Sequence, residues 1–390
     1  MLSVDEATRR IVAAFAPLES ERVPLEEACG RTLAADAVAR ADQPPFSSSA
    51  MDGYAVRSID QGWRHIIGSA PAGHPYSGRL GPNEAVRIFT GGQIPGGADA
   101  VLAQEDARVA GDRVDFTAPA FPGKFIRAQG LDFRAGQILV AKGACLHARD
   151  LALIAAGDLS HVEVRRRPVI ALASTGDELS LPGAARKPGG IVASSAYGLM
   201  PWIAQWGARP RNLGILPDQS EAIAAFAGER CDLLVTMGGA SVGDHDLVQA
   251  ALGPKGFELD FWKIAMRPGK PLIFGRLNKR PLLGLPGNPV SSLVCAFLFL
   301  RPAIAAMLGQ EWKQPLKPAR LIGTLAANGE RQDYLRAKGE WRDGVLWAEP
   351  LPRQDSSLLK DFSEADMLIV RAPRAAALKE GAAIEILMLE

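Results

Sequence analysis

The sequence predicts a multidomain α/β protein, and three observations carry that expectation. At 390 residues the chain is too long for one ordinary hydrophobic core, which places it at roughly two to four domains. Its texture changes along the chain, from helical periodicity to short apolar runs punctuated by Gly and Pro, then to strand–helix alternation from Pro168 onward. Alternation at that spacing is the pattern of a sheet with parallel strands, whose ligands gather at the carboxyl ends of the strands.

Taken in order, residues 3 to about 42 read as helical. Ser3 and Glu6 make a capping box, Ile11, Val12 and Phe15 follow as apolar positions, and a second segment is expected around Leu25 to Val38 before Pro44-Pro45 ends the run. From 46 to about 140, stretches such as IFTGGQIPGGADAVLAQED predict short strands and many turns. Residues 148 to 157, ARDLALIAAG, return to helix. Beyond Pro168, strands are predicted at 169–173, 211–216, 232–236 and 281–285, with helices at 195–205, 220–226, 246–252 and 289–308 between and after them. After Pro315-Leu316-Lys317-Pro318 the pattern becomes β-like again. A hairpin is expected over Trp341 to Val345 on an Asp-Gly turn, and the last strands at 367–370 and 383–389.

Composition narrows the function classes. The chain is 47% hydrophobic and 22% charged, and its net charge of +1 gives no case for nucleic acid or an anionic membrane as partner. The tight basic run Arg165-Arg166-Arg167 reads as a solvated loop before a strand. The apolar run Leu293 to Leu300 is cut by Arg301-Pro302 and reads as a buried helix; the N-terminus has no signal-like apolar core. A cytoplasmic location is the expectation. Cysteines at 29, 145, 231 and 295 have neither CxxC spacing nor a histidine pairing, and read as reduced, buried small hydrophobes.

Chemistry concentrates in DLLVTMGGASVGDHD, residues 232 to 246. A strand runs into Gly238-Gly239, passes Ser241 and Gly243, and ends on Asp244 and Asp246 before a helical pattern. Glycines after a strand turn backbone N–H groups toward an anion. Carboxylates there suit a phosphate bridged by a cation such as Mg2+. Alternatively, Asp244 caps the helix and Asp246 lies in its first turn; the residues alone leave the two readings balanced. Other predicted strand ends add Thr175-Gly176-Asp177-Glu178, Pro217-Asp218, and Gly287-Asn288-Pro289-Val290-Ser291-Ser292. In the last, Asn288 suits an N-cap and Pro289 the first helical turn. Their convergence on one edge favours a site over scattered turns. Lys263, Arg267 and Lys270 surround a Pro-Gly turn and offer cations to an oxyanion. Acids for a metal beside cations for oxyanions suggest a phosphate ester or anhydride substrate. Asp52 and Thr90, in SAMDGYAV and FTGG, read by themselves as turn residues.

SAMDGYAV, FTGGQIPGGADAV, STGDEL, TMGGASVGDHD, MRPGKP and GLPGNPVSS occur in this order with this spacing. Together they closely resemble the molybdopterin molybdenumtransferase family, which includes the C-terminal domain of gephyrin, over essentially the whole chain. The resemblance implies four domains: a discontinuous helical linker domain (1–45 and 141–167), a β-rich domain (46–140), a molybdopterin-binding α/β domain (168–314) and a C-terminal β-barrel (315–390). It also implies a homodimer and insertion of molybdate into the dithiolene of adenylylated molybdopterin, with Mg2+ support and release of AMP. The implied cleft joins the α/β and barrel domains of one subunit to the β-rich domain of its partner. An adenylyltransferase and the molybdoenzymes that take up the cofactor are further implied partners.

By motif, the resemblance assigns catalytic roles to Asp52, Thr90, Glu178, Asp218, Asp246, Lys263 and Arg267, with Asp246 and Glu178 as metal ligands. Substrate-binding roles fall on Gly238, Gly239, Ser241, Gly243, Lys270, Asn288, Pro289, Ser291 and Ser292, with Arg336 and Ser356 as the barrel candidates. Asp132, in GLDFRAG where the family shows a GED-like turn, is site-supporting. Arg267 stands where the family often has lysine, and DYLRAKG and QDSSLL match loosely. Two alternatives remain, an adenylyltransferase resembling only the α/β part and a gephyrin-like scaffold.

Overall fold

The computed structural model of the chain describes residues 1–216, 226, 228–238, 253 and 256–389. The chain divides into two compact units, Arg22–Val164 on the one hand and Met1–Glu21 with Arg165–Glu390 on the other.

In the unit Arg22–Val164, a six-stranded sheet has the order Ala100–Ala103, Gly53–Val56, Glu84–Ile88, Arg64–Ala70, Arg113–Phe116, Ala107–Ala110. Strand Gly53–Val56 is buried along its whole length because both faces are covered. Tyr54 and Val56 pack with Leu102 and Val114 on one side, and Ala55 with Val86, Ile88 and Val101 on the other. This confirms the β-rich texture read between 46 and 140. Helix Ala148–Ala156 also forms where expected, with Asp150 Oδ2 accepting the His147 N–H at 2.8 Å.

The second predicted helical segment, Leu25 to Val38, does not form. Strand Ser20–Pro24 precedes that stretch, which holds only a single tight turn Leu25–Glu27 and a two-residue strand Ala37–Val38. Its backbone is committed to distant chain: the Gly30 N–H to Leu146 O at 2.8 Å, Leu33 to Ala144 O at 2.9 Å and Ala34 to Glu163 O at 2.8 Å. Gly30 turns at φ +70°. The apolar spacing of Val23, Ala28, Leu33 and Ala37 instead serves a small core with Leu146, Ile154, Val162 and Val164.

The other unit contains a sheet in the order Arg209–Leu216, Val169–Thr175, Leu233–Met237, Arg280–Leu285, Pro271–Leu277, Phe257–Lys263. The first four strands are mutually parallel, Pro271–Leu277 is antiparallel to both of its neighbours, and Phe257–Lys263 therefore runs in the direction of the first four. All four predicted strands are therefore present and adjacent. Alternate residues serve the two faces: Ile170, Leu172, Leu233, Val235, Leu283 and Leu285 join the larger core, while Ala171, Ala173, Leu234 and Leu282 join a smaller one with Phe226 and Phe257. Helix Val4–Ala13 buries Val4, Ala7 and Ile11 in the larger core. Its Ser3 Oγ accepts the Glu6 N–H at 3.2 Å, while the Glu6 carboxylate turns to Arg10 at 2.8 Å and does not close the box.

Helix Ser195–Gln205 has the expected bounds. The apolar stretch Pro289–Met307 is long and apolar enough to cross a bilayer, yet 89% of its central window is buried in the fold, as a core helix requires. It widens at Ala296–Leu300, because Pro302 has no N–H for the regular bond to the preceding turn. The predicted helices at 220–226 and 246–252 fall on residues outside those described, apart from Phe226.

A third sheet closes on itself: Gln332–Arg342 pairs with Val345–Pro350, then Leu316–Leu321, Ala383–Met388 and Met367–Arg371 follow, and the last returns to Gln332–Arg342. Leu321, Ala337, Ala348, Met367, Ile369 and Ile386 fill this barrel. The Asp-Gly hairpin forms with Asp343 at φ +47° and Gly344 at φ +76°, the twist that matches two strands in a tight turn.

Two smaller expectations are corrected. Only Cys295 is buried; Cys29 is exposed, and Cys145 and Cys231 are intermediate, because their stretches lie near the edges of their cores. The basic triplet is not a solvated loop. Arg166 grips Asp232 through two 2.8 Å bonds and reaches Glu19 at 2.9 Å, and Asp232 also accepts the Val169 N–H at 2.8 Å. Arg165 donates to Leu18 O at 2.7 Å.

Candidate functional site at the strand ends

Three of the parallel strands end against one another through glycine. Gly238 ends strand Leu233–Met237 at φ +102°, and its N–H reaches Leu285 O at 3.1 Å. A Cβ there would lie 2.5 Å from Thr175 O, closer than any side chain tolerates, so glycine is what lets these ends meet. A Cβ on Gly287 would stand 3.6 Å from Gly238 Cα. Residues 175–178, 238 and 287 thus form one continuous rim. Glu178 is exposed on it, its carboxylate folded over Gly176, whose Cβ position is 2.5 Å from Glu178 Oε2. Asp218, Gly239, Ser241, Gly243, Asp244, His245 and Asp246 lie outside the described residues.

The helix after the next strand end starts at Pro289, as predicted, but Asn288 does not cap it through its side chain. Asn288 Nδ2 instead donates to Ser356 Oγ at 2.9 Å, and the Val290 N–H donates to Ser356 O at 3.1 Å. A barrel loop therefore satisfies the helix start, which displaces the expected cap. Ser291 and Ser292 are buried. The hydroxyls of Ser292 and Thr175 are buried with no partner among the described residues, the condition of polar atoms beside a ligand or water site.

The cationic loop lies between Phe257–Lys263 and Pro271–Leu277, closed by the Ile264 N–H on Lys270 O at 3.0 Å. The Lys263 ammonium stands 3.5 Å from the centroid of the Trp262 ring, a close cation–π contact. Lys270 is half-buried. Arg267 is not a free cation. It sits in the short strand Met266–Arg267, parallel to Gln332-Asp333, and its guanidinium grips the Asp333 carboxylate, with Nε to Oδ1 at 3.1 Å and a second bond from Nη2.

In the barrel, Arg336 is fully buried. Its Nη2 donates to the carbonyls of Arg353 at 3.2 Å and Asp355 at 3.1 Å, and its Nε and Nη1 have no partner among the described residues. Desolvation holds its pKa below the usual guanidinium value. Arg336 thus braces the loop that presents Ser356 to Asn288. Sequence reasoning missed Asp333, Asp355 and Trp262; the first two lie within DYLRAKG and QDSSLL and the third precedes Lys263, but only the fold reveals their partners.

Asp52 and Thr90 come together in the unit Arg22–Val164. Strands Gly53–Val56 and Glu84–Ile88 pair with Gly53 opposite Ile88, which sets the two flanking turns side by side. Asp52 Oδ1 accepts both the Thr90 N–H at 2.7 Å and the Thr90 hydroxyl at 2.8 Å. The backbone bond from Thr90, followed by its hydroxyl, holds the Asp52 pKa below the ordinary carboxylate value. Arg87 lies over the rings of Tyr54 and Phe89, 4.9 Å from each. Asp132 is exposed, and its N–H bonds Gln43 O at 2.9 Å. Among the described residues, no group of three or more His, Cys, Asp or Glu is placed to hold a metal ion.

Comparison with known proteins accounts for nearly the whole chain. Residues 2–157 match the family described as MoeA N-terminal region (domain I and II). Residues 171–306 match the "Probable molybdopterin binding domain", and 318–389 the MoeA C-terminal region (domain IV). The molybdopterin molybdenumtransferase of Haemophilus influenzae is 36% identical over 324 residues, covering 81% of this chain and 80% of that protein. That of Bacillus subtilis is 31% identical over 404 residues, covering 100% and 94%. Among solved structures, a molybdopterin biosynthesis MoeA protein of Pyrococcus horikoshii superposes with a TM-score of 0.87 at 31% identity, covering 100% of this chain and 99% of that one. On this similarity, the chain belongs to the molybdopterin molybdenumtransferase family.

Proposed function

We propose that this enzyme inserts molybdenum into molybdopterin in molybdenum cofactor biosynthesis, taking molybdate and adenylylated molybdopterin and releasing AMP. The observation that carries the reading is the rim of abutting strand ends at Thr175–Glu178, Gly238 and Gly287, beside the Lys263–Lys270 loop, in a chain similar from end to end to named transferases. An anhydride held there needs positioning and charge neutralisation more than a dedicated nucleophile. Lys263 and Lys270 would hold oxyanions, molybdate among them. Arg267 would act through its pair with Asp333, fixing the loop. Arg336 and Ser356 would set the barrel side of the rim, and Asn288 with Pro289 the helix start.

Mg2+ fits the donor set. Glu178 is an exposed carboxylate on the rim, and one or two carboxylates together with substrate phosphates are its usual ligands. Glu178 with Asp246 would hold it. When bound, it would supply charge neutralisation at the phosphate oxygens. Asp52, kept ionised by Thr90, would serve the same reaction from the β-rich domain of a partner subunit, so we propose a homodimer. The proposal extends to the division 1–45 with 141–167, 46–140, 168–314 and 315–390, to a cytoplasmic location, and to an adenylyltransferase and recipient molybdoenzymes as partners. The adenylyltransferase alternative is disfavoured, because the N-terminal and C-terminal family regions are both matched as well.

The test is AMP release from adenylylated molybdopterin by purified protein with Mg2+. Release is expected only on addition of molybdate and is expected to stop with a chelator. AMP release indifferent to molybdate would overturn the proposal.

A further inference from the structure

In the turn after strand Arg113–Phe116, two phenylalanines face solvent: Phe121 is 56% exposed and Phe125 38%. The Lys124 ammonium stands 5.5 Å from both ring centroids, and a 2.8 Å bond to Pro119 O steadies it. The distance is within cation–π range. Phe125 has a second peculiarity, its φ of +52°. Bulky side chains are rare in that left-handed region, where glycine and asparagine are at ease. An exposed ring gains little packing to offset the strain, and residues held this way cluster at ligand clamps.

The ridge adjoins the Asp52–Thr90 pair. The Ala50 N–H donates to Phe125 O at 2.8 Å, and Ser49 pairs with Ile126. On the other side of the same segment, the Ser49 N–H reaches Gly92 O and the Gly91 N–H reaches Ser49 O, each at 2.9 Å. Phe125 and Thr90 therefore flank Ser49–Asp52 from opposite sides, about 10 Å apart at two strand spacings. A phosphoanhydride reacting beside Asp52 would have one of its attached flat rings at that range.

We propose that Phe121, Lys124 and Phe125 form a binding ridge for a phosphorylated nitrogen heteroaromatic, the rings stacking on its face and Lys124 pairing with its phosphate. The inference rests on the transferase reading and deepens it. The two sources of that chemistry in one substrate are its adenine nucleotide and its pterin phosphate.

The experiment titrates AMP and neopterin monophosphate separately into the full-length protein by calorimetry, for wild type, Phe125→Asn, Phe121→Ser and Lys124→Gln. Phe125→Asn is expected to keep or raise the melting temperature, since Asn suits the backbone. It is expected to weaken one probe about tenfold, or 1.4 kcal/mol. Phe121→Ser should weaken the same probe, and Lys124→Gln should weaken it with a smaller dependence on salt; the probe affected identifies the ring. Unchanged affinity for both probes in Phe125→Asn and Lys124→Gln overturns the inference, as does failure of wild type to bind either. A loss of self-association with unchanged affinities also overturns it, making the ridge a subunit contact. AMP release is measured in parallel: molybdate-dependent release with unaffected binding rejects the ridge alone, whereas its absence in wild type rejects the transferase reading.

Discussion

Asp52 and Thr90 show how two turn residues become one chemical group. Neither turn motif is informative alone, yet strand pairing makes Thr90 deliver two donors to a single carboxylate oxygen. The folded pKa of Asp52 is depressed, so the contact is fully present above the ordinary value of 3.8 and is lost only as pH falls through the lower folded value. Carboxyl carbon NMR of Asp52 is expected to titrate below 3.8, and in Thr90→Val its midpoint should move up. Asp52→Asn is expected to lower molybdate-dependent AMP release about a hundredfold or more with an unchanged melting curve; wild-type turnover in that variant would return Asp52 to a turn role.

At the level of elements, legibility followed the range of the hydrogen bonds. Strand Val169–Thr175 was readable because burial on both faces makes it a continuous apolar run. Leu25 to Val38 was misread because its apolar spacing imitates a helix while its backbone bonds run to Ala144, Leu146 and Glu163. The Asn288–Ser356 bond joins residues 68 apart in sequence, and no local pattern announces it. Arg267 was legible as a cation but not as the partner of Asp333, for the same reason. Gly238 carries the clearest prediction at this scale. Gly238→Ala must adopt φ +102° and bring Cβ within 2.5 Å of Thr175 O. We expect a loss of about 2–4 kcal/mol in urea unfolding, with AMP release falling because the rim opens. A variant as stable as wild type would show that the strand ends tolerate separation.

For the whole molecule, the proposed sharing of one site between two subunits is the part of the reading most open to test. Asp52→Ala and Glu178→Ala proteins should each be inactive alone. Mixed and reassembled one to one, they should recover roughly a quarter of wild-type AMP release, because half the dimers carry one intact site of two. No recovery on subunit exchange would place both acids in one subunit's site. The short strand Met266–Arg267 has a different bearing on how such a chain can be cut and reused. It carries the cationic loop, yet it pairs along Gln332-Asp333 of the barrel, and Gln332 donates its N–H to Ala265 O at 2.9 Å. Removing the barrel would strip that strand of its neighbour, leave Arg267 without a counter-charge and free an adhesive backbone edge. The α/β body is thus separable on a sequence diagram but not in the folded chain, and recombination that swapped the barrel alone would have to rebuild the cationic loop at the same time.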